Sequence, residues 1–337
     1  MPTDSLFAIA PIISGYLQLS GTAAAVADTI AYAVAVSILI VAFDYIFGWV
    51  ERKTIAKIQK RHGPTFAGKY GILQNMADFV KLLSKEHTIP KRADKLLFLT
   101  TIPLMLSLSI FLIFLLPFSP TLLETDIGLG LLVIFVLLSF MPLIIFANGF
   151  GSGNKFSAIS AQRSVIMLLS YEIPLIFVIA AVGVLANGYS ISGIIGAQSQ
   201  WWFVVLMPIG FVVFFVVMLA EMERPPFDIR EADNELIAGW LTDVSAPYYT
   251  LALFLDYSRM FLGSLLISII FFGGWSGPFL PPVVWLLLKT FIISFFIMII
   301  RATTVRMRID RLLRFGWTWL LPLSLLNLIL TYLLFIG

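Results

Sequence analysis

The sequence predicts an all-α membrane protein with eight transmembrane helices and one amphipathic helix on the membrane surface. Of its 337 residues, 60% are hydrophobic and 12% are charged, whereas about 25% are charged in a typical soluble domain. A water-soluble fold would not bury thirty phenylalanines at a mean hydropathy of +0.98. Uncharged runs of about 20 residues match a bilayer core roughly 30 Å thick. A soluble globular protein is therefore excluded.

The order of the spans follows from the distribution of charge. Ten of the 22 Lys and Arg residues lie in the first loop, 51–94, and the second, fourth and sixth loops contain none. By the positive-inside rule the odd-numbered loops are cytoplasmic and both termini lie outside the cell membrane. The net charge of +3 then reflects topology rather than nucleic-acid binding. The chain is expected to be one multispanning domain, 1–337, with spans near 28–50, 95–117, 127–148, 163–186, 201–223, 247–273, 279–301 and 315–336.

The metal-binding residue types are scarce in this chain. It has no cysteine, and its two histidines, His62 and His87, lie in one charged segment. Cysteine-ligated iron–sulfur clusters and disulfides are therefore excluded, and two histidines are too few for a pair of haem ligands together with a metal site. We predict that this chain alone binds no redox cofactor.

The first loop contains a predicted amphipathic helix, from Tyr70 to Glu86. At about 17 residues with a polar stripe, this helix should lie along the membrane surface. Two interpretations stay open: a basic anchor for anionic lipid, or the lip of a cavity that admits a lipid-soluble ligand. The apolar side consists of Ile72, Leu73, Met76, Phe79, Val80 and Leu83, and the polar side of Gln74, Asp78, Lys81 and Lys85.

The loop at 220–246 is strongly acidic. Consecutive prolines at 225 and 226 should break the helix before it. Beyond them Asp228, Glu231 and Glu235 are three and four residues apart, so a helix would place them on one face, where at least one should bind a proton more tightly. Either a proton relay or a solvated loop that docks a basic partner subunit fits this pattern. The six clustered carboxylates are Glu221, Glu223, Asp228, Glu231, Asp233 and Glu235.

Several ionisable residues are predicted inside the membrane. Asp44, Glu172 and Asp256 lie within spans, where charge is costly and usually faces a partner or a water-filled path. Arg259 is three residues after Asp256 and is a candidate to neutralise it. Lys289 lies well inside the seventh span, which weakens the interpretation that its side chain simply snorkels to the surface.

Motifs in both loops resemble the H subunit of respiratory complex I, and the resemblance covers most of the chain. The stretch from Ala220 to Gly239 is similar to the acidic loop of that family, with Arg-x-Pro-Phe-Asp at its centre. The sequence Ser-Tyr-Glu that ends at Glu172 also resembles the family pattern. The first loop carries Glu51-Arg52-Lys53, Gln59, Arg61-His62-Gly63-Pro64, Gly71-Ile72-Leu73-Gln74, Ala77-Asp78, Lys81-Leu82 and Lys85-Glu86.

The resemblance implies a subunit without its own redox centre in a proton-translocating oxidoreductase. Its diffusible substrate would be a quinone or methanophenazine, with iron–sulfur clusters and flavin in partner subunits of the peripheral arm and further partners in the membrane arm and the lipid. The chamber for this substrate would be shaped by Arg52, Lys53, Arg61, Gln74, Asp78, Lys81, Arg224 and Phe227. Proton coupling would involve Glu172, Glu221, Asp228, Glu231, Asp233, Glu235 and Asp256.

The sequence departs from the common pattern of this family at a few positions. Met222-Glu223 replaces Thr-Asn or similar, Ile229-Arg230 replaces Leu-Pro, Asp233 replaces a frequent Glu, and Gly63-Pro64-Thr65 replaces Gly-Pro-Asn. Arg230 is expected to pair with a carboxylate.

These departures leave the electron donor and acceptor open. Archaeal deazaflavin-linked dehydrogenases that reduce methanophenazine, and energy-converting hydrogenases, share the pattern loosely. A stand-alone ion transporter is the alternative from another class, but the chain shows no internal symmetry, and its charged loops favour docking to a partner.

Overall fold

The helical fold class is confirmed. The computed structural model describes residues 21–120, 127–230 and 233–335, and within these ranges the regular elements are all helical. Short 3₁₀ turns occur at Lys69–Gly71 and Gly239–Leu241, and a π turn at Gly316–Leu320. The helices are α1 (Gly21–Ile58), α2 (Gln74–Leu83), α3 (Lys95–Leu115), α4 (Gly130–Gly151), α5 (Lys155–Ala186), α6 (Ile191–Ala197), α7 (Phe203–Leu206), α8 (Pro208–Glu221), α9 (Asp233–Leu236), α10 (Ala246–Phe271), α11 (Pro282–Thr303), α12 (Ile309–Phe315) and α13 (Leu321–Phe335).

In the described part of the chain, seven helices are long and apolar enough to cross a membrane. The span predicted at 201–223 is instead divided into α7 and α8, which meet at Met207 in front of Pro208. The 14 residues of α8 measure about 21 Å at 1.5 Å per residue. The count of eight spans therefore stays a prediction. The spans long enough to cross are Thr29–Ile58, Lys95–Leu115, Gly130–Gly151, Lys155–Ala186, Ala246–Phe271, Pro282–Thr303 and Ile309–Phe335.

Two helix boundaries differ from the sequence prediction for local reasons. Helix α1 continues to Ile58, so Glu51, Arg52 and Lys53 lie on its last two turns rather than in a loop, since no glycine or proline follows them before Gly63. Helix α5 begins at Lys155, because the Asn154 side chain accepts a hydrogen bond from the Phe156 N–H and caps the helix there.

Among the spans named above, α10 has the largest share of buried residues. It packs against α1, α3 and α11, while α5 packs against α4, α8 and α13. Small buried residues, such as Ser258, Gly263, Ser264 and Ser268, line α10 and let neighbouring helices approach closely, as membrane interfaces require. The centre of the molecule is therefore a close-packed helix whose buried polar groups must be satisfied by its neighbours.

Helix α5 has a locally altered backbone at Pro174. Pro174 lies inside it and has no N–H to donate to the carbonyl of Ser170, four residues earlier. Gly316 in the π turn fits against the same residue, since a Cβ atom there would lie 2.6 Å from the Ser170 carbonyl oxygen. Glycine is therefore required where the last span crosses α5, beside Tyr171 and Glu172.

The predicted amphipathic helix exists as α2 but is shorter than Tyr70–Glu86. Gly68, Tyr70 and Gly71 have φ values of 74°, 59° and 73°, which delay the helix until Gln74. The apolar side chains of α2 are open, with Met76 57% and Val80 57% exposed. Its place at the membrane surface stays a prediction.

Candidate coupling site beneath the acidic loop

The acidic loop begins with a sharp reversal at the end of α8. The N–H of Glu223 donates to the Ala220 carbonyl at 3.0 Å, and the N–H of Arg224 donates to the Leu219 carbonyl at 3.1 Å. These two bonds form a Schellman motif that ends the helix. The segment then runs through the two prolines and folds inward, so that Glu221, Glu223, Arg224 and Phe227 are all buried.

The expectation of a shared carboxylate helix face is wrong for Asp228. Its backbone is not helical, and the only helix of this loop in the described residues is α9, Asp233–Leu236. The prolines remove the N–H groups that a helix would need, and tight turns through Arg224 and Phe227 replace it. Glu231 and the side chain of Asp233 lie outside the described residues.

The first charged cluster joins Arg224 to Glu51. The Arg224 Nη1 lies 3.4 Å from Oε1 of Glu51, and Arg301 contacts the same oxygen from α11. The Arg224 guanidinium also lies 5.4 Å from the ring centroid of Tyr257. Asp256 joins through its backbone, whose carbonyl accepts from Arg224 Nη2 at 3.4 Å. One buried carboxylate therefore connects the acidic loop with α1 and α11.

Sequence reasoning missed Glu51 and Arg301 as members of this site. Glu51 stands in the first motif of the chain, where nothing in the sequence separates it from Arg52 and Lys53. Arg301 contributes to the sequence prediction only as a positive charge that sets the topology. The available signal was their position at the ends of spans, where each side chain is able to turn back into the bundle.

A second cluster surrounds Glu223. Its carboxylate contacts Arg230, and its Oε2 lies 3.1 Å from Nη1 of Arg259. The pairing predicted for Arg230 is confirmed. Arg259 pairs with Glu223 instead of the expected Asp256, and its Nη2 also donates to the Glu221 carbonyl. Residues at and just after the end of α8 therefore supply the groups that contact the Arg259 guanidinium.

Another buried carboxylate, Asp44, faces the same central helix. The Ser258 hydroxyl donates to Asp44 Oδ2 at 3.0 Å, and Asp44 is only 5% exposed. Ser258 lies on α10 between Asp256 and Arg259. The intramembrane carboxylates of α1 and α8 are thus arranged around a short stretch of α10.

The chamber residues predicted in the first loop cluster around Asp78. Arg52 Nη1 donates to Asp78 Oδ2 at 2.7 Å, Gln74 Nε2 donates to Oδ1 at 3.0 Å, and Lys81 lies 3.7 Å from Oδ1. Partial burial raises the pKa of Asp78, but the hydrogen bonds from Arg52 and Gln74 outweigh it and hold the pKa below its usual value. Four of the predicted residues are therefore brought together.

Two other residues predicted for the chamber lie apart from Asp78. The Lys53 stem packs near Gly63, where a Cβ atom would be 3.1 Å from Lys53 Cδ. Arg61 is exposed, and its side chain donates to Gln59 at 2.7 Å. The contacts in the structure do not bring these two side chains into the cluster.

Glu235 lies in an environment opposite to the one expected. Its Oε2 accepts from Arg163 of α5 at 2.7 Å, and Arg306 lies 3.9 Å from Oε1. The hydrogen bond and positive charge of Arg163 hold its pKa below the usual value. Among the described residues, the charges that contact Glu235 are basic, and they lower its proton affinity.

Glu172 lines a cavity of about 300 Å³ between α4 and α5. The other walls are almost entirely apolar, with Phe135 and Phe140 on α4 and Tyr189 at one end. On the same helix, Tyr171 is buried beside Glu221. Helix α5 therefore places consecutive residues at the acidic-loop cluster and at this apolar cavity.

Comparison with known proteins identifies the family. A family model described as NADH dehydrogenase matches residues 30–332. The H subunit of the NADH-quinone oxidoreductase from Dehalococcoides mccartyi (strain CBDB1) is 40% identical over 287 residues, which cover 85% of this chain and 81% of the relative.

Two further relatives support the same assignment. The H subunit of the NADH-quinone oxidoreductase from Carboxydothermus hydrogenoformans is 35% identical over 84% of this chain and 82% of its own length. The H subunit numbered 2 from Syntrophobacter fumaroxidans is 35% identical over 84% of this chain and 88% of its own length. With its apolar helices and these matches over most of its length, the chain is a multi-pass membrane protein that belongs to the NADH dehydrogenase family, among the H subunits of NADH-quinone oxidoreductase.

Proposed function

We propose that this chain forms, with a peripheral iron–sulfur subunit, the chamber in which a quinone is reduced, and that it couples this reduction to proton translocation. The observation that carries the proposal is the behaviour of two consecutive residues of α1. Glu51 turns inward to Arg224 and Arg301, whereas Arg52 turns to Asp78. The first loop and the acidic loop therefore meet at one point of the membrane helix.

The first-loop cluster supplies polar groups suited to a quinone. Arg52, Gln74 and Lys81 carry N–H donors, and donors of this kind bind carbonyl oxygens. The open apolar side of α2, including Met76 and Val80, suits the hydrocarbon part of a lipid-soluble substrate. The interfacial position proposed for α2 would let such a molecule enter from the bilayer edge.

In this proposal, a change of charge at the quinone couples its reduction to proton translocation. Quinone reduction to quinol consumes two electrons from the iron–sulfur partner and two protons. Any change of charge beside Arg52 acts on Glu51 across one peptide unit, and Glu51 is bonded to Arg224 at the start of the acidic loop. The response would then pass through the carboxylates around α10 and α5 as changes in proton occupancy, with Glu221, Asp256 and Glu172 as the carriers.

The topology in this proposal places the two loops on the same side. Helices α7 and α8 together serve as the fifth of eight spans, the odd-numbered loops are cytoplasmic, and both termini lie outside. The peripheral subunit then docks over the first loop and the acidic loop, where the basic residues of α12 also lie.

The acceptor is tested on the native complex. We expect the purified complex to reduce a quinone analogue with NADH, as the names of the relatives suggest. Reduced deazaflavin and reduced ferredoxin are assayed as alternative electron donors. A methanophenazine analogue is assayed as the alternative acceptor. Hydrogen evolution without quinone reduction would contradict the proposal in favour of a hydrogenase, and ion exchange by the isolated chain in liposomes would favour a transporter.

The role of the meeting point is tested by Arg224→Gln. This change leaves Arg301 as the cationic partner of Glu51, so we expect proton translocation per electron to fall and quinone reduction to drop on the order of tenfold or more, since a broken buried pair is costly. Asp310→Asn, at an exposed carboxylate of α12, is the matched control. Wild-type rates and stoichiometry in Arg224→Gln would contradict the proposed coupling.

A further inference from the structure

Glu223 occupies a backbone position that normally favours glycine. It follows α8 at the C′ position of the Schellman motif, with a φ of 54°. Glycine and asparagine are usual at such a position because a larger side chain is strained in the left-handed conformation. A glutamate there indicates that its carboxylate has a role that the backbone turn alone does not require.

The Glu223 carboxylate bridges two buried arginines. Its Oε2 contacts Arg230, at the far end of the loop segment, and lies 3.1 Å from Nη1 of Arg259 on α10. The three residues are 7%, 2% and 2% exposed. Arg259 also donates to the Glu221 carbonyl. One carboxylate thus joins both ends of the segment 221–230 to the central helix.

The remaining surroundings of Arg230 hold it in place. Its guanidinium lies 4.6 Å from the ring centroid of Trp240, a cation–π arrangement. Its carbonyl accepts from the Ser160 hydroxyl at 2.7 Å. Gly239 passes so near that a Cβ atom would lie 2.1 Å from the same carbonyl oxygen. Arg230, at the end of the segment, is therefore fixed against α5 and the 3₁₀ turn Gly239–Leu241. Its guanidinium contacts Glu223.

Two oppositely charged side chains of the loop, Glu223 and Arg230, are thus in direct contact. Without Glu223, Arg230 would lose the carboxylate that contacts it, and removing one partner of a buried pair is strongly unfavourable. Arg259 on α10 adds a second guanidinium beside the same Glu223 carboxylate.

We infer that Glu223 is a positioning residue whose carboxylate, held between Arg230 and Arg259, ties the segment 221–230 to α10 and so holds Arg224 and Phe227 at the candidate site. The consequence for turnover rests on the proposed function. The attachment of the segment 221–230 to α10 through Glu223 does not rest on the proposed function, because it concerns only contacts within this chain.

The absence of cysteine from the sequence provides a specific probe. Ile229 is 4% exposed and lies beside Arg230, so Ile229→Cys introduces one thiol that only opening of the segment makes accessible. Maleimide labelling of the full chain in detergent is compared among this parent, the parent with Glu223→Asn, with Arg230→Leu, and with both changes. Asparagine keeps the left-handed turn favourable, and it removes the charge together with one methylene group.

We expect Glu223→Asn to raise the labelling rate on the order of tenfold through local opening. Adding Arg230→Leu should return it close to the parent, because the excess positive charge is removed. Asp310→Asn, added to the parent, is the control and should leave the rate unchanged. If Glu223→Asn prevents folding, recovery of folding in the double variant supports the tie.

An unchanged labelling rate in Glu223→Asn would overturn the inference, as would a double variant that is as open or as unfolded as Glu223→Asn alone. Turnover of the assembled complex separates this result from the proposed function. A released segment with unchanged quinone reduction would support the tie and contradict the proposed role of the loop.

Discussion

Lys289 shows how backbone carbonyls bind a buried cation. Its Nζ donates to the carbonyls of Phe272, Gly274 and Ser276 at 2.7, 2.8 and 2.8 Å. These carbonyls follow the end of α10, where a positive charge is favourable. The ring centroid of Trp202 lies 5.3 Å from the ammonium group. The lysine is therefore bound by the turn between α10 and α11 rather than snorkelling to water.

Replacing this lysine should destabilise the protein. Lys289→Met removes three hydrogen bonds at once, so we expect about 3 kcal/mol or more of lost stability from carbonyls left buried without a donor. Thermal unfolding of the purified chain in detergent measures this. Lys95→Met, at an exposed position, is the control, and equal unfolding temperatures for the two variants would contradict the assigned role.

Glu235 provides a prediction about pH. Its pKa is lowered mainly by the hydrogen bond from Arg163, so its ion pair contributes fully above the ordinary value of 4.5 and is lost only as the pH falls through the lowered pKa. Glu235→Gln should therefore reduce activity by the same factor at every neutral pH, about two- to fivefold for an exposed pair. Quinone reduction at pH 6 and pH 8 checks this. A factor that differs between the two would indicate that Glu235 titrates there.

At the scale of elements, α2 is fixed to α1 by polar side chains rather than by apolar packing. The Tyr45 hydroxyl donates to the Ile72 carbonyl at 2.7 Å and Trp49 Nε1 donates to the Tyr70 carbonyl at 3.1 Å. Asn75 returns a bond to the Tyr45 carbonyl at 3.0 Å. Together with the bond from Arg52 to Asp78, these three bonds attach α2 and the turn before it to α1.

Loosening this attachment should weaken substrate binding more than turnover. The double change Tyr45→Phe and Trp49→Phe removes two of the three bonds, and we expect the KM for a quinone analogue to rise on the order of threefold to tenfold, given about 1 kcal/mol per bond, with kcat less affected. Tyr332→Phe, at an exposed tyrosine, is the control. A fall in kcat at constant KM would place the role of α2 elsewhere.

Sequence periodicity predicts the helices of this protein well because each span must satisfy its own backbone in lipid. It fails where tertiary contacts decide the conformation. The carboxylate helix expected from Asp228 is absent because Arg230 pairs with Glu223 and the prolines force turns. Helical spacing predicts Asp256, on the same helix, as the partner of Arg259. In the structure Arg259 pairs with Glu223, which follows the end of α8.

For the whole molecule, the sequence indicates which loops are charged but not that they meet. Glu51 and Arg224 are separated by 173 positions, and their contact depends on how α1, α10 and α11 pack. The two loop motifs identify the family and the groups that carry charge. Which of them touch requires the three-dimensional arrangement.

The proposed topology has a direct test, since any introduced cysteine is unique in this chain. Ser84→Cys lies in the first loop and Ser199→Cys in the fourth, both at exposed positions. In sealed vesicles a membrane-impermeant maleimide should label the first only from the cytoplasmic side and the second only from the outside. Labelling of both from one side would contradict the assigned orientation.

Pro174 gives α5 a mechanical property that none of the charged groups supplies. Because the Ser170 carbonyl accepts no hydrogen bond from residue 174, the helix can bend there without breaking a backbone bond. This part of α5 also carries Tyr171 and Glu172. Tyr171 lies beside Glu221, and Glu172 lines the apolar cavity. A change of charge near Tyr171 would therefore act close to the point where α5 lacks one backbone hydrogen bond.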